Sequence, residues 1–326
     1  MTFYANLHTH STHSDGKYTP EELALVAKAE GYKALAITDH DTATAFPHLK
    51  AACEQRGIDC IFGVEFTCSA PMINGYFHMV AFDFDPEYPE MKEYLRTLSE
   101  SETEQTKYCF EKGKREGGLV EPSWEGGLSN ITWEEVLEFN KDITWLCNEQ
   151  VFRAMKAKGI VTDLDYPSFF SAYYGPRRSE FKSPYKFLTA DKLIDLVHRA
   201  GGIILVAHPV NQLHQIDALL EMGMDGLEAY HPDLPADQQL AAYKLGLEKG
   251  IFISGGSDHS GLCGGLYASF KNPKECSHYI DPLSCGTYEL HFKELKERRI
   301  DKEARAKILA SLTKPFKPEP ALKGGF

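Results

Sequence analysis

The sequence predicts an α/β fold built on a mainly parallel sheet. Two observations predict it. Short apolar runs of strand length alternate with helical segments in both halves of the chain. Polar residues also gather where those strands end, as they do on the loop face of barrel enzymes. At 326 residues the chain has room for one large domain, or for a barrel-sized domain carrying an insertion.

The elements follow in order. Met1 to Leu7, with Phe3, Tyr4 and Leu7, reads as a buried strand reaching the loop His8-Thr9-His10-Ser11-Thr12-His13-Ser14-Asp15-Gly16. In extended backbone, residues i and i+2 point to the same side. His8 and His10 can therefore aim at one point, and Asp15-Gly16 lets the chain turn back over it. Thr19-Pro20-Glu21-Glu22 starts a helix, with Thr19 as N-cap, Pro20 at the first position and Glu22 closing a capping box; Gly31 ends it. Ala34 to Thr38 is an apolar strand followed by Asp39-His40-Asp41. A helix from Ala43 to Arg56 stops at Gly57, and Ile58 to Thr67 is a third strand carrying Glu65. A loop with Pro71 and Asn74-Gly75 leads to a fourth strand, Tyr76 to Phe82, with His78 among apolar neighbours.

Between Asp85 and Thr189 the pattern changes. A long polar helix (Tyr88 to Glu116) and a loop (Glu121 to Asn130) precede a helix opened by the capping box Thr132 to Glu135 and another over Asn148 to Lys158. An aromatic and basic segment, Tyr166 to Phe187, contains Arg177, Arg178 and Lys182. This region reads as a helical insertion (85–188) whose loop is a substrate cap, with Arg177 and Arg178 as phosphate grips; a solvated basic turn is the alternative. The alternation then resumes: helix Ala190 to Ala200, strand Ile203 to Ala207 ending in His208-Pro209, helix Gln212 to Met222, strand Gly226 to Tyr230 with Glu228, helix Pro235 to Glu248, and strand Ile251 to Ser254 running into Gly255-Gly256-Ser257-Asp258-His259. A loop rich in Gly, Pro and Cys follows, then a charged helix from Glu289 to Leu312 and a Lys/Pro tail. The expected division is 1–84 with 189–280 as the metal-binding unit, 85–188 as the insertion and 281–326 as the C-terminal helix and tail.

Composition narrows the function. A net charge of −12 argues against a nonspecific or duplex nucleic-acid surface and against docking on anionic membranes. No run approaches the ~18 apolar residues of a membrane span, and the N-terminus lacks the regions of a secretory signal. The eight cysteines contain no C-x-x-C pair and read as thiols of a cytoplasmic protein. His8, His10, Asp15, His40, Glu65, His78, His208, Asp258 and His259 all fall at or just past strand ends. Nine imidazoles and carboxylates converging on one rim would repel, or need extensive pairing, unless cations sat among them. One zinc needs three or four protein ligands, so the set implies two or three ions.

The order of these residues resembles the PHP family of polymerase and histidinol phosphatase phosphoesterases. The motifs are His8-Thr9-His10 with Ser14-Asp15-Gly16, Thr38-Asp39-His40, Gly63-Val64-Glu65, His78, Ala207-His208-Pro209 and Gly256-Ser257-Asp258. The resemblance implies a distorted seven-stranded, TIM-like (β/α) barrel with two or three divalent ions of zinc, manganese or iron, magnesium being possible. It implies His8, His10, Glu65 and Asp258 around one ion, Glu65 bridging to a second held by His78 and His208, and Asp15, His40 and a late histidine around a third. The family spaces its last pair Asp-x-His, whereas Asp258 and His259 are adjacent here and Ser260 stands where the histidine is expected; coordination by His259 is the expectation. The implied activity is hydrolysis of phosphate mono- or diesters of nucleotides, cyclic phosphates or short oligonucleotides by a metal-activated water, with Glu65 and Asp258 in the reacting centre. Asp39, His13 and His231 are candidate proton donors, His231 also a substrate contact, and Glu228 and Asp41 supporting partners. A histidinol-phosphate-type phosphatase, an amidohydrolase and a non-catalytic metal-binding module are the alternatives.

Overall fold

The computed structural model describes residues 2–259 and 280–312. Ser260, most of the predicted Gly/Pro/Cys loop and the Lys/Pro tail lie outside them. The chain runs β1 (Ala5–Asn6), α1 (Pro20–Glu30), β2 (Ala34–Leu35), α2 (Phe46–Arg56), β3 (Asp59–Cys60), β4 (Gly63–Ala70) and β5 (Ile73–Phe82). The helical segment follows: α3 (Pro89–Glu116), α4 (Trp133–Phe139), α5 (Asn148–Ala157), α6 (Tyr166–Phe169) and α7 (Gly175–Arg178). Then come α8 (Ala190–Arg199), β6 (Ile203–Val206), α9 (Ile216–Glu221), β7 (Gly226–Tyr230), α10 (Ala236–Lys249), β8 (Phe252–Gly255), α11 (Glu289–Glu297) and α12 (Lys302–Leu312).

The fold is mixed α/β. Among the described residues the ladders form a parallel sheet β1-β2-β3 and a mixed sheet β4-β5-β6-β7-β8, not the single closed barrel the resemblance implied. The mixed sheet departs from the expected parallel order because β4 and β5 form a hairpin. Ala70 pairs with Ile73 across Pro71-Met72, a tight turn that can only join antiparallel strands. Asn74-Gly75, expected in the turn, therefore lies inside β5. β5 is also antiparallel to β6, and only β6, β7 and β8 run parallel.

Backbone hydrogen bonds stitch the sheets together where the functional residues emerge. Leu7 N–H donates to Gly255 O (3.2 Å) and Asp258 N–H to His8 O (2.8 Å), joining the chain after β1 to that after β8. On the other side Glu65 N–H donates to Thr38 O (3.2 Å) and Asp41 N–H to Glu65 O (2.9 Å). Between the sheets lies a core of Ala5, Leu7, Ala34, Val80, Phe82 and Leu205, into which α11 inserts Phe292 and Leu295. Phe292 packs on Tyr4, at the end of β1 away from His8.

The helical segment has its own core, including Phe110, Trp133, Phe152, Phe169 and Tyr173. Both expected capping boxes form, Thr19 with Glu22 and Thr132 with Glu135. The single C-terminal helix predicted from Glu289 to Leu312 is two, because Arg298 turns left-handed (φ 52°) after α11. A buried ion pair, Arg305 to Glu294 at 2.6 Å, ties α12 back to α11.

Candidate metal centre

The donors come from the strands and from the turns just past them; Glu65 and His78, expected at strand ends, lie within the β4–β5 ladder. After β1 the extended chain aims His8 and His10 the same way, and both are wholly buried. Glu65 enters from β4, His78 from β5, His208 from just past β6 and Asp258 from just past β8. Three of the turns are left-handed at non-glycine residues, Asp41 (φ 53°), His208 (φ 26°) and Asp258 (φ 48°). Such backbone costs on the order of 1–3 kcal/mol each and persists where surroundings over-determine it. Here Asp258 N–H is tied to His8 O (2.8 Å) and His208 N–H to the Glu228 carboxylate (2.8 Å).

Glu65 is the hub. Its Oε2 lies 3.2 Å from His8 Nε2, His10 Nε2 and His40 Nδ1 alike. Its Oε1 lies 3.0 Å from His78 Nδ1 and from His208 Nε2. Asp258 Oδ1 closes the first set, 2.9 Å from His10 Nε2 and 3.6 Å from His8 Nε2. Donor atoms of His8, His10, Glu65 and Asp258 lie within 4.8 Å of one another, as do those of His10, Asp15 and His40 and those of His40, Glu65 and His78.

The donors fit cations. Glu65 Oε2 is buried and accepts no well-formed hydrogen bond, although three imidazole nitrogens crowd it. His8 Nε2 and His10 Nε2 stand 3.3 Å apart. So many lone-pair donors converging on one point suit a positive charge between them. Protons on His8 and His10 fill that role without a metal, since both are raised against their burial well above the ordinary histidine range by neighbouring carboxylates, Glu65 and Asp258 among them. Burial would raise the Glu65 carboxyl, but His8, His78 and His40 around it hold it well below its ordinary range. Asp258 is likewise depressed against its burial by His8 and by hydrogen bonds from His10 and His231. Burial pushes His40 down to about 3, with His10 and His78 adding to the effect. Ionised carboxylates and a neutral imidazole are the forms that bind a divalent ion.

Buried partners set the orientation of these donors. Both oxygens of Glu228 lie 3.0 Å from His8 Nδ1, so Nδ1–H donates outward and Nε2 faces Glu65 and Asp258. His231 Nδ1 accepts from Asp233 N–H (3.1 Å), which leaves the proton on Nε2, 3.4 Å from Asp258 Oδ2. Asn6, absent from the sequence-based candidates, accepts from Ser257 N–H (3.0 Å) and donates to Ser257 Oγ (2.8 Å), fixing the turn into Asp258.

Several expected roles do not match these placements. Asp39 is buried and accepts from Ser11 N–H, Ser11 Oγ and Ser14 Oγ at 2.6 Å each, so it braces the first loop and faces no substrate. His13 points to Thr44 Oγ1 (2.9 Å) and His48, away from Glu65. His231 is wholly buried and serves Asp258, not a substrate. Arg177 is buried with its guanidinium on the carbonyls of Ala172 (2.9 Å) and Gly117 (2.7 Å), so it closes the helical segment and grips no phosphate. Arg178 keeps a partly exposed guanidinium, paired with Glu102 at 3.0 Å. His259 lies flat on Tyr18 (15° between planes) and joins none of the donor groups among the described residues. His10 completes the third group in its place.

Comparison with known proteins fits this centre. Residues 6–139 match the PHP domain family. A phosphoribosyl 1,2-cyclic phosphate 1,2-diphosphodiesterase of Eggerthella lenta is 26% identical over 278 residues, covering 82% of this chain and 98% of that protein. A 5'-3' exoribonuclease of Haemophilus influenzae is 27% identical over 274 residues, 81% of this chain and 92% of that one. The fold of a protein assigned as a metal-dependent phosphoesterase, from Bifidobacterium adolescentis, matches with a TM-score of 0.66 at 23% identity, over 92% of this chain and 98% of that one. Residues 6–139 of the chain thus form a PHP domain. Both of these relatives, the diphosphodiesterase and the exoribonuclease, are hydrolases acting on phosphoric ester bonds. No helix among the described residues is long and apolar enough to cross a membrane.

Proposed function

We propose that this protein hydrolyses mono- or diesters of a small, nucleotide-like phosphate using two or three divalent ions of zinc, manganese or iron. One observation carries the reading: the two oxygens of Glu65 face two different sets of imidazoles, as a carboxylate shared between neighbouring ions must. His8, His10, Glu65 and Asp258 would hold one ion, Glu65, His78 and His208 a second, and Asp15 and His40 would contribute to a third. When bound, such ions attract phosphate oxygens and make water acidic enough to serve as a nucleophile near neutral pH.

The chain's own residues do the rest. Glu228 keeps the His8 proton on Nδ1, and His231 keeps Asp258 turned toward the two histidines. Arg178 is the remaining candidate phosphate grip: its guanidinium is partly exposed and paired with Glu102, with which a substrate phosphate would have to compete. Trp145 stacks on His40, ring centroids 6.2 Å apart, beside an imidazole that stays 20% exposed. We also read the two sheets as one distorted ring of seven, with β3 and β4 as a single interrupted strand; the bridges Thr9–His259 and His40–Glu65 support this. The helical segment is then the cap over residues 1–84 and 189–280. All six cysteines described are thiols, which suits a reducing cytoplasm.

The test is turnover by metal-reconstituted protein on p-nitrophenyl phosphate, its bis ester and a nucleotide panel, beside an amide panel. Phosphate-ester turnover without amide hydrolysis is expected, and His10→Ala or Glu65→Ala abolishes it. Equal rates in the parent and both variants would overturn the assignment.

A further inference from the structure

The loop carrying Asp15 is held from two sides. Asp39 braces its inner face through Ser11 and Ser14. Its outer face is held by α5 of the helical segment. Gln150, wholly buried, donates to the carbonyls of Thr12 (3.1 Å) and Ser14, and the Arg153 guanidinium donates to those of Thr12 (3.3 Å) and Gly16. Carbonyls 12, 14 and 16 are thus all taken by two side chains one helical turn apart. Asp15 sits between the last two, its Oδ1 3.6 Å from His10 Nδ1. There is little slack behind the loop, because a Cβ on Gly16 would fall 1.9 Å from His10 O. The same stretch of chain also reaches His40, through the Trp145 ring at 6.2 Å.

We propose that Gln150 and Arg153 are positioning residues that hold Asp15 toward His10 and His40, so that the insertion sets the affinity of the third ion. This rests on the metal-centre reading above. A free loop would have to order its backbone when the ion binds, at the cost of its conformational entropy; the clasp orders it during folding. Hydrogen bonds from a charged guanidinium to carbonyls are stronger than neutral ones. Removing groups that orient metal ligands typically weakens binding by about 10–100-fold.

The experiment is manganese titration of the full chain, with bound metal counted by mass spectrometry, for the parent, Arg153→Met, Gln150→Leu and Asp15→Asn. The expected result is that both clasp variants lose one ion selectively, or need about 10–100-fold more manganese for it, and that Asp15→Asn loses the same one. The other ions keep the parent's affinity. The metal-induced rise in Tm shrinks in the variants, whereas a merely structural role would lower metal-free and metal-loaded Tm alike. Full parental stoichiometry and affinity in a folded clasp variant overturns the proposal, as does equal weakening of every ion. If Arg153→Met does not fold, Gln150→Leu decides. A parent that takes up no metal overturns the metal-centre reading itself, a result distinct from variants that match a loaded parent.

Discussion

Glu228 offers the sharpest test of how this centre is built, because Glu228→Gln changes charge and hydrogen-bond polarity while keeping shape. In the parent both carboxylate oxygens lie 3.0 Å from His8 Nδ1, and Oε2 also accepts His208 N–H at 2.8 Å. A glutamine has one acceptor oxygen, and its NH2 group then faces either the His8 N–H or the His208 N–H. Either arrangement sets two donors against each other at a position with no solvent exposure. Loss of a charge-assisted hydrogen bond costs about 1.5–3 kcal/mol, and at ~1.4 kcal/mol per tenfold this is on the order of 10–150-fold in affinity. The neighbouring His8 and His208 serve different ions in the reading above, so two sites should weaken together. Chelator competition for zinc or manganese measures this, and excess metal should restore part of the lost activity. Affinity within threefold of the parent, in a folded variant, would refute the argument that Glu228 sets the His8 tautomer.

Other outcomes follow from separate features. Gly256→Ala places a Cβ 2.3 Å from His8 N and 2.7 Å from His8 Cα, both backbone atoms that cannot swing away. It should cost about 3 kcal/mol or more and lower metal uptake, read by thermal melting and metal analysis. In the C-terminal helices, Glu294 is held down to about 2 against its burial by His291 and Arg305, from an ordinary 4.5. Its contribution is therefore complete above pH 4.5 and is lost as pH falls toward 2. Burial also depresses His291 below 6.5, so stability should begin to fall as pH drops below that value, which melting curves across pH 7 to 3 would record. Arg305→Met takes the guanidinium from the buried Glu294, leaving it His291 and the Asp301 N–H (2.8 Å each), and should destabilise the protein by about 3 kcal/mol, measured by denaturant titration at pH 7.

Much of the site was legible because its residues sit in local patterns. The i, i+2 pair His8 and His10, the Asp39-His40 step and the capping boxes at Thr19 and Thr132 depend on neighbours a few positions away. Arg177 and Arg178 show where such reading stops. They are adjacent and alike in sequence, yet one closes a buried cage of carbonyls and the other meets solvent beside Glu102. His231 and Asp39 likewise carry no local sign that they are enclosed. The hairpin at Pro71-Met72 was misread for a related reason: Asn74-Gly75 has strong turn propensity, and pairing between β4 and β5 overrode it.

By itself the sequence determined which donors exist and that they outnumber the needs of a single ion; it put all of them at strand ends, whereas Glu65 and His78 lie within β4 and β5. Only the tertiary structure decided which oxygen of Glu65 meets which imidazole, and that donor atoms of His10, Asp15 and His40 fall within 4.8 Å of one another. The reason is physical: bond-forming partners such as His8 and Glu228 stand 220 residues apart. No local periodicity encodes such a contact, which exists only once burial and backbone pairing have brought the two segments together.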